Sequence, residues 1–170
     1  MVILASASPR RRELLTQAGV VFAVESADVD ESLLEGEQPA QYVERLAVEK
    51  AQAVFARHSE QPGLKVLGAD TTVVCQGQVL GKPTDAADAR RMLLHLSGRT
   101  HQVLTGVAVV SAAGVASDVV VTQVFFDQIL PAELDHYIAS GEPLDKAGAY
   151  GIQGYAARWI PRIEGCYYNV

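Results

Sequence analysis

The chain has 170 residues, a formal net charge of -6, and 49% hydrophobic against 20% charged residues. That length supports one well-packed domain and is short for two independent ones, and the composition carries no disordered or fibrous signature. The acidic balance excludes a protein that wraps duplex nucleic acid, which relies on a basic surface to displace counterions, so a small anionic ligand suits a local basic cluster better than a polymer does.

The N-terminus opens directly on an apolar strand, residues 2–5, with no basic start ahead of a long apolar core, so no secretory signal is expected. The strand runs through Ser6-Ala7-Ser8-Pro9-Arg10-Arg11-Arg12 into a helix at Glu13-Leu14-Leu15. Ser8 is a good N-cap and Pro9 suits the first helical position, so the positive end of the helix faces the loop. Three arginines within one turn add planar forks of donors, and the stretch reads as an anion grip. A solvated basic turn is the competing reading.

Residues 21–26 form a second strand and lead into an acidic loop carrying Asp28, Asp30, Glu31, Glu35 and Glu37. A carboxylate from such a loop can serve a divalent cation, because Mg²⁺ is held by one or two carboxylates plus substrate oxygens. Composition does not say which one. From Pro39 a long helix runs to about Arg57, with Val43, Leu46, Ala47, Ala51 and Val54 at helical spacing along one face. Lys50 falls inside that stripe, where a lysine either snorkels at the edge or meets an anion.

After a Gln-Pro-Gly turn comes a strand over Lys65–Cys75, β-branched and apolar with Asp70 in its middle. A carboxylate there is costly unless it is hydrogen-bonded, paired or bound to a metal. Asp70 therefore reads as a metal ligand or a general base for an attacking water, with a turn cap through Thr71 or Thr72 as the structural alternative. The two-aspartate signature of haloacid-dehalogenase phosphatases fails, since position 68 is glycine. Gly81-Lys82-Pro83 at the end of the next short strand offers another cation. Thr84 is expected to cap a helix from about Asp85 to Leu96, with Asp85 and Asp88 at its positive end.

Two alternating strands, residues 101–111 and 115–128, are joined through Ala112-Ala113-Gly114 as a hairpin, so the sheet is mixed and a plain doubly wound nucleotide fold is excluded. His101 reads as a structural hydrogen-bonder. A helix over residues 131–140 follows. Periodicity then stops in residues 141–154, where four interleaved glycines suggest a close backbone approach to a ligand, and where Gln153 has both the donor and the acceptor needed to read a base edge. A strand pair, residues 156–163 and 166–170, is expected to close the chain. Cys75 and Cys166 fit no metal-ligand spacing and read as free, largely buried thiols of a cytoplasmic protein. No stretch approaches the length needed to cross a bilayer.

Taken together, Ser6-x-Ser8-Pro9-Arg10-Arg11, Asp30-Glu31, Glu49-Lys50-Ala51, Gly68-Ala69-Asp70-Thr71, Lys82-Pro83, Ser97-Gly98-x-x-His101 and Gly141-Glu142-Pro143 through Gly154 closely resemble the Maf-like family of nucleoside triphosphate pyrophosphatases. The matches span the chain in order. The resemblance implies a single domain over residues 1–170, an elongated mixed α/β sheet with flanking helices and two lobes around a central cleft, similar to the inosine triphosphate pyrophosphatases. It implies a house-cleaning enzyme that cuts between the α and β phosphates with Mg²⁺ or Mn²⁺. The family's catalytic aspartate falls on Asp70, its glutamate on Glu31, and its two lysines on Lys50 and Lys82, with Asp70 and Glu31 holding the metal. Ser6, Ser8, Arg10 and Arg11 then contact the substrate.

Arg10, Thr71 and Gln153 match the selectivity positions of the subgroup that takes dTTP and UTP. A branch acting on 7-methyl-GTP differs there, and a nucleotide-binding regulator of septum formation is the reading from another class. A homodimer is also within the family pattern, as are a Val-Gly-Leu-Pro segment and a terminal helix past Val170, where this chain ends.

Overall fold

The periodic segments fold as β1 (Val2–Leu4), α1 (Pro9–Gln17), β2 (Ala23–Val24), α2 (Pro39–Arg57), β3 (Lys65–Cys75), β4 (Gln78–Leu80), α3 (Ala86–Leu96), β5 (Thr100–Ser111), β6 (Gly114–Phe125), α4 (Pro131–Ala139) and β7 (Arg162–Glu164). The computed structural model describes residues 1–170. The strands form a mixed sheet in the order β2-β1-β3-β5-β6-β7, with β4 paired to β3. β1 runs parallel to both neighbours, Ile3 lying opposite Ala23 and Val66. The β3–β4 and β6–β7 pairs are antiparallel. Two compact units result, Met1–Asp70 with Thr105–Val119, and Thr71–Leu104 with Val120–Val170.

In the first unit, α2 is the organising helix. Pro39 sits in its first turn, and Gln38 and Gln41 form a reciprocal capping box, so its N-terminal amides are satisfied before the apolar stripe begins. That stripe buries Val43, Leu46, Ala47, Lys50, Ala51 and Val54. Two glycines set how closely the helix can lie on the strands. A Cβ on Gly68 would stand 2.0 Å from the Ala47 carbonyl oxygen, and one on Gly106 would stand 2.2 Å from that of Val43. The missing side chains are the notch into which the helix backbone fits.

In the second unit, the core gathers Val73, Leu80, Met92, Leu93, Leu96, Val124, Leu134 and Tyr137 with the aromatic rings of Phe126, Tyr150 and Trp159. His101 is buried among them, edge-on to Phe126 and Tyr150, with Nε2 2.7 Å from the Tyr150 hydroxyl. Burial pushes its pKa down to about 4, against a smaller upward pull from the Arg99 backbone.

Several expected boundaries shift for local reasons. The second strand shrinks from residues 21–26 to Ala23–Val24. Asp85, not Thr84, caps α3: its carboxylate accepts from the Asp88 N–H at 2.8 Å, while the Thr84 N–H donates to Asp88 at 3.1 Å. The terminal strand pair is not formed. Residues Tyr155–Trp159 and Tyr167–Asn169 are 3₁₀ turns and only Arg162–Glu164 pairs with β6. Side chains hold this end in place of a ladder: Asn169 Nδ2 donates to the Val103 carbonyl and to Thr122 Oγ1, each at 3.0 Å, and Thr122 Oγ1 also accepts from the Cys166 N–H. Cys75 is buried as expected, whereas Cys166 is exposed on this irregular segment.

Two measurements check these statements. Gly68→Ala drives a methyl into helix backbone that cannot step aside, and its urea-unfolding free energy should fall by about 2 kcal/mol or more. His101 holds a folded pKa below its ordinary 6.5, so as pH falls the unfolded chain takes up a proton that the folded one refuses. Its contribution is fully present above about pH 6.5 and is lost towards pH 4, with a span of about 3 kcal/mol. Urea titrations between pH 7.5 and 4.5 should therefore show a slope that His101→Gln reduces by about one proton.

Candidate functional site

In β3, side chains two residues apart share a face, so Asp70 points the same way as Gly68, towards α2. On α2, Lys50 lies one turn beyond Ala47, the residue seated on Gly68. The glycine notch thus sets the spacing of a lysine and a carboxylate. Lys50 Nζ donates to Asp70 Oδ1 at 2.6 Å and stands equally 2.6 Å from Glu31 Oε1. Lys50 is 8% and Asp70 9% exposed, whereas the Glu31 side chain is 57% exposed. One ammonium is therefore shared by a buried and an open carboxylate. The lysine in the apolar stripe meets anions and does not snorkel.

Burial raises the Asp70 pKa above the usual carboxylate range, although Lys50 and, less strongly, Arg11 pull it down; Glu31 pushes it further up. The cationic neighbours are what favour an ionised carboxylate at this depth.

The loop after β1 reaches the same stretch of β3 through Arg11. Arg11 Nη1 donates to the Ala69 carbonyl at 2.8 Å and to Ser6 Oγ at 3.0 Å, so the arginine ties the loop to the strand residue just before Asp70. Burial lowers its pKa, with Asp70 and then Glu31 acting in the opposite sense. Ser8 occupies the N-cap position of α1, but its side chain makes no cap bond; its N–H donates to the buried Ser6 hydroxyl at 3.2 Å. The serine that organises the turn is thus Ser6, because its Oγ both accepts from the loop backbone and receives Arg11. Arg10 is half-buried in the first turn of α1.

Two residues that sequence reasoning passed over hold the acidic loop. Tyr42 Oη donates to the Glu31 carbonyl at 2.9 Å. Arg45 grips Glu37 with Nε at 2.6 Å and Nη2 at 2.8 Å, and Nη2 also reaches the Ser32 carbonyl at 3.0 Å. Burial raises the Tyr42 pKa, reinforced by Asp70 and Glu31, so the phenol keeps its donor proton. The only sequence signal was the Arg45–Glu49 spacing of four, which reads as an ordinary helix-surface pair.

The structure brings Ser6, Arg11, Glu31, Lys50 and Asp70 together in the first unit. Thr71, Lys82 and Gln153 belong to the second. There Lys82 is exposed, in a turn whose Gly81 carbonyl accepts from the Gly148 N–H at 3.0 Å. Gln153 is exposed between buried Ile152 and half-buried Gly154, and Thr71 is half-buried on β3. The four interleaved glycines of residues 141–154 are used for close packing at two places. A Cβ on Gly148 would press on Val73 at 2.8 Å, and one on Gly154 would overlap the Glu142 carboxylate at 1.9 Å.

A sequence profile of the family described as Maf-like protein matches residues 1–170. The chain belongs to the Maf-like protein family. Among relatives of this Maf-like chain, the dTTP/UTP pyrophosphatase of Hahella chejuensis is 51% identical over 169 residues, covering 99% of this chain and 84% of its own. That of Geotalea uraniireducens is 54% identical over 171 residues, covering 99% and 87%. A solved nucleoside-triphosphatase, dITP/XTP pyrophosphatase, from Mycobacterium abscessus is 16% identical with a TM-score of 0.44 over 75% of each chain, a likeness too low to carry weight.

No group of three or more His, Cys, Asp or Glu side chains is placed so as to hold a metal ion by itself. The two carboxylates around Lys50 are nevertheless hard oxygen donors in the number that Mg²⁺ takes from protein when substrate phosphates complete its shell. An ammonium already lies between them, so the donor chemistry fits a hard cation. No helix is long and apolar enough to cross a membrane.

The shared ammonium has a measurable consequence. Lys50→Met leaves Asp70 buried beside an apolar side chain and should cost about 3 kcal/mol in urea unfolding, whereas Lys50→Met with Asp70→Asn should recover most of that loss, because breaking a buried pair costs more than replacing it.

Proposed function

We propose that this chain is a nucleoside triphosphate pyrophosphatase that hydrolyses dTTP and UTP to the nucleoside monophosphate and pyrophosphate. The observation that carries the reading is the Lys50 ammonium shared at 2.6 Å by Asp70 and Glu31, in a chain about half identical over nearly its whole length to relatives named dTTP/UTP pyrophosphatase.

Asp70 is the general base. It takes a proton from a water whose oxygen attacks the α-phosphorus, and the bond to the bridging oxygen of the β-phosphate breaks, so pyrophosphate leaves with the displaced electron pair. The two ion-pair partners of Lys50 are carboxylates. We therefore assign it the task of keeping the buried Asp70 ionised. Lys82, Arg11, Ser6 and Ser8 stabilise phosphate charge, and Arg10, Thr71 and Gln153 select the base. Asp70 and Glu31 would hold Mg²⁺ or Mn²⁺, which supplies charge neutralisation on the phosphates. The reading places the enzyme in the cytoplasm, where nucleoside triphosphates are made, and a homodimer is its expected assembly.

Purified protein with Mg²⁺ should release pyrophosphate from dTTP and UTP faster than from the other nucleoside triphosphates and 7-methyl-GTP. Release from none of them would overturn the enzymatic reading, and a preference for 7-methyl-GTP would overturn the base assignment. Lys82→Ala should lower kcat for dTTP by about 100-fold, the usual size of losing one positioned electrostatic contact, while an exposed position predicts little change in Tm.

A further inference from the structure

Glu142 opens a 3₁₀ turn in the second unit, and its half-buried carboxylate turns towards Tyr155, thirteen residues further on. Oε1 accepts from the Tyr155 N–H at 3.2 Å and from the Tyr137 hydroxyl at 3.3 Å, and Oε2 lies 3.4 Å from the same Tyr155 nitrogen. Position 154 admits this approach only as glycine, since a Cβ there would fall 1.9 Å from Oε1.

The Glu142 main chain is itself anchored. The Glu142 N–H donates to Ser140 Oγ at 3.2 Å, and Lys146 Nζ donates to the Glu142 carbonyl at 2.7 Å. Tyr137 is fully buried and stacks on Tyr155, with ring centroids 5.5 Å apart and planes 15° from parallel. Glu142, Tyr137 and Tyr155 thus form one packed, charge-assisted contact.

Gln153 stands directly before this contact. The Gly154 N–H closes a turn onto the Gly151 carbonyl at 3.1 Å, and Tyr155 is fastened to Glu142, so the backbone around position 153 is held while the side chain stays exposed. A donor–acceptor amide discriminates bases only if its plane is fixed, because an untethered amide satisfies several edge patterns.

We propose that Glu142 is a positioning residue for base selection, setting the backbone that presents Gln153. The proposal rests on the reading of Gln153 as a base contact. It assigns Glu142 to the choice of nucleotide and not to bond cleavage.

The test compares kcat and KM for dTTP and CTP in the full chain carrying Glu142→Ala, Glu142→Gln, Gln153→Ala, or both alanines. Glu142→Ala should raise KM for dTTP and reduce the dTTP-over-CTP preference by roughly ten-fold, with kcat changed less than about two-fold. Glu142→Gln keeps a carbonyl oxygen as acceptor and should lose only about three-fold of the preference, so it also carries the measurement if the alanine variant does not fold. The double alanine variant should be no less selective than Gln153→Ala alone. Unaltered preference in Glu142→Ala, or losses that add fully in the double variant, would overturn the assignment. Unaltered preference in Gln153→Ala would remove both the base contact and the proposal, while pyrophosphate release from dTTP by the unaltered protein would leave the activity itself standing.

Discussion

The first unit depends on a lysine that an amphipathic helix has no apolar reason to bury. Lys50 lies in the stripe of α2 because Asp70 and Glu31 receive it at 2.6 Å each, and Asp70 tolerates a strand interior because Lys50 and Arg11 offset the cost of its burial. The pair meets only because Gly68 and Gly106 let the helix backbone lie against the strands. Substitutions there should act on the site through helix position, although neither glycine touches a charged group. Arg11 extends the constraint to the opening loop, joining Ser6 to the Ala69 carbonyl.

The second carboxylate is held differently. Glu31 is open to solvent, and besides Lys50 its loop is held by two side chains of α2, the Tyr42 hydroxyl on the Glu31 carbonyl and Arg45 on Ser32 and Glu37. A buried carboxylate with an exposed companion suits a reaction in which one carboxylate is shielded from solvent while the other meets an incoming cation and phosphate.

Much of this was legible in the sequence, for definite reasons. The bounds of α2 and β3 follow from Pro39, from an unbroken helical stripe, and from the Gln-Pro-Gly turn before a β-branched run. Asp70 and Lys50 were visible because each is a charge in an apolar pattern. Tyr42 and Arg45 carry no such anomaly: an aromatic and an arginine on a half-exposed helix are ordinary, and their partners lie eleven and eight residues back in an aperiodic loop. Ser8 was read as the cap because capping propensity ranks residue types and does not report where a hydroxyl points; the loop is organised by Ser6 instead. The chain end read as strands because Ile, Trp, Tyr and Val favour them, yet Gly165, at a φ of +132° and pressed against Thr122, and the side-chain bonds of Asn169 impose turns.

The central claim is that the carboxylate of Asp70, buried in β3 against Lys50, performs the proton transfer. The most direct test is single-turnover hydrolysis of dTTP with saturating Mg²⁺ by Asp70→Asn, after circular dichroism has shown that the variant folds as the unaltered protein does. The account predicts a loss of about 1,000-fold or more in the rate of pyrophosphate formation, since general-base catalysis contributes roughly 10²- to 10⁴-fold and the proposal gives the same side chain to the cation. A folded Asp70→Asn protein that hydrolyses dTTP within ten-fold of the unaltered rate would contradict it.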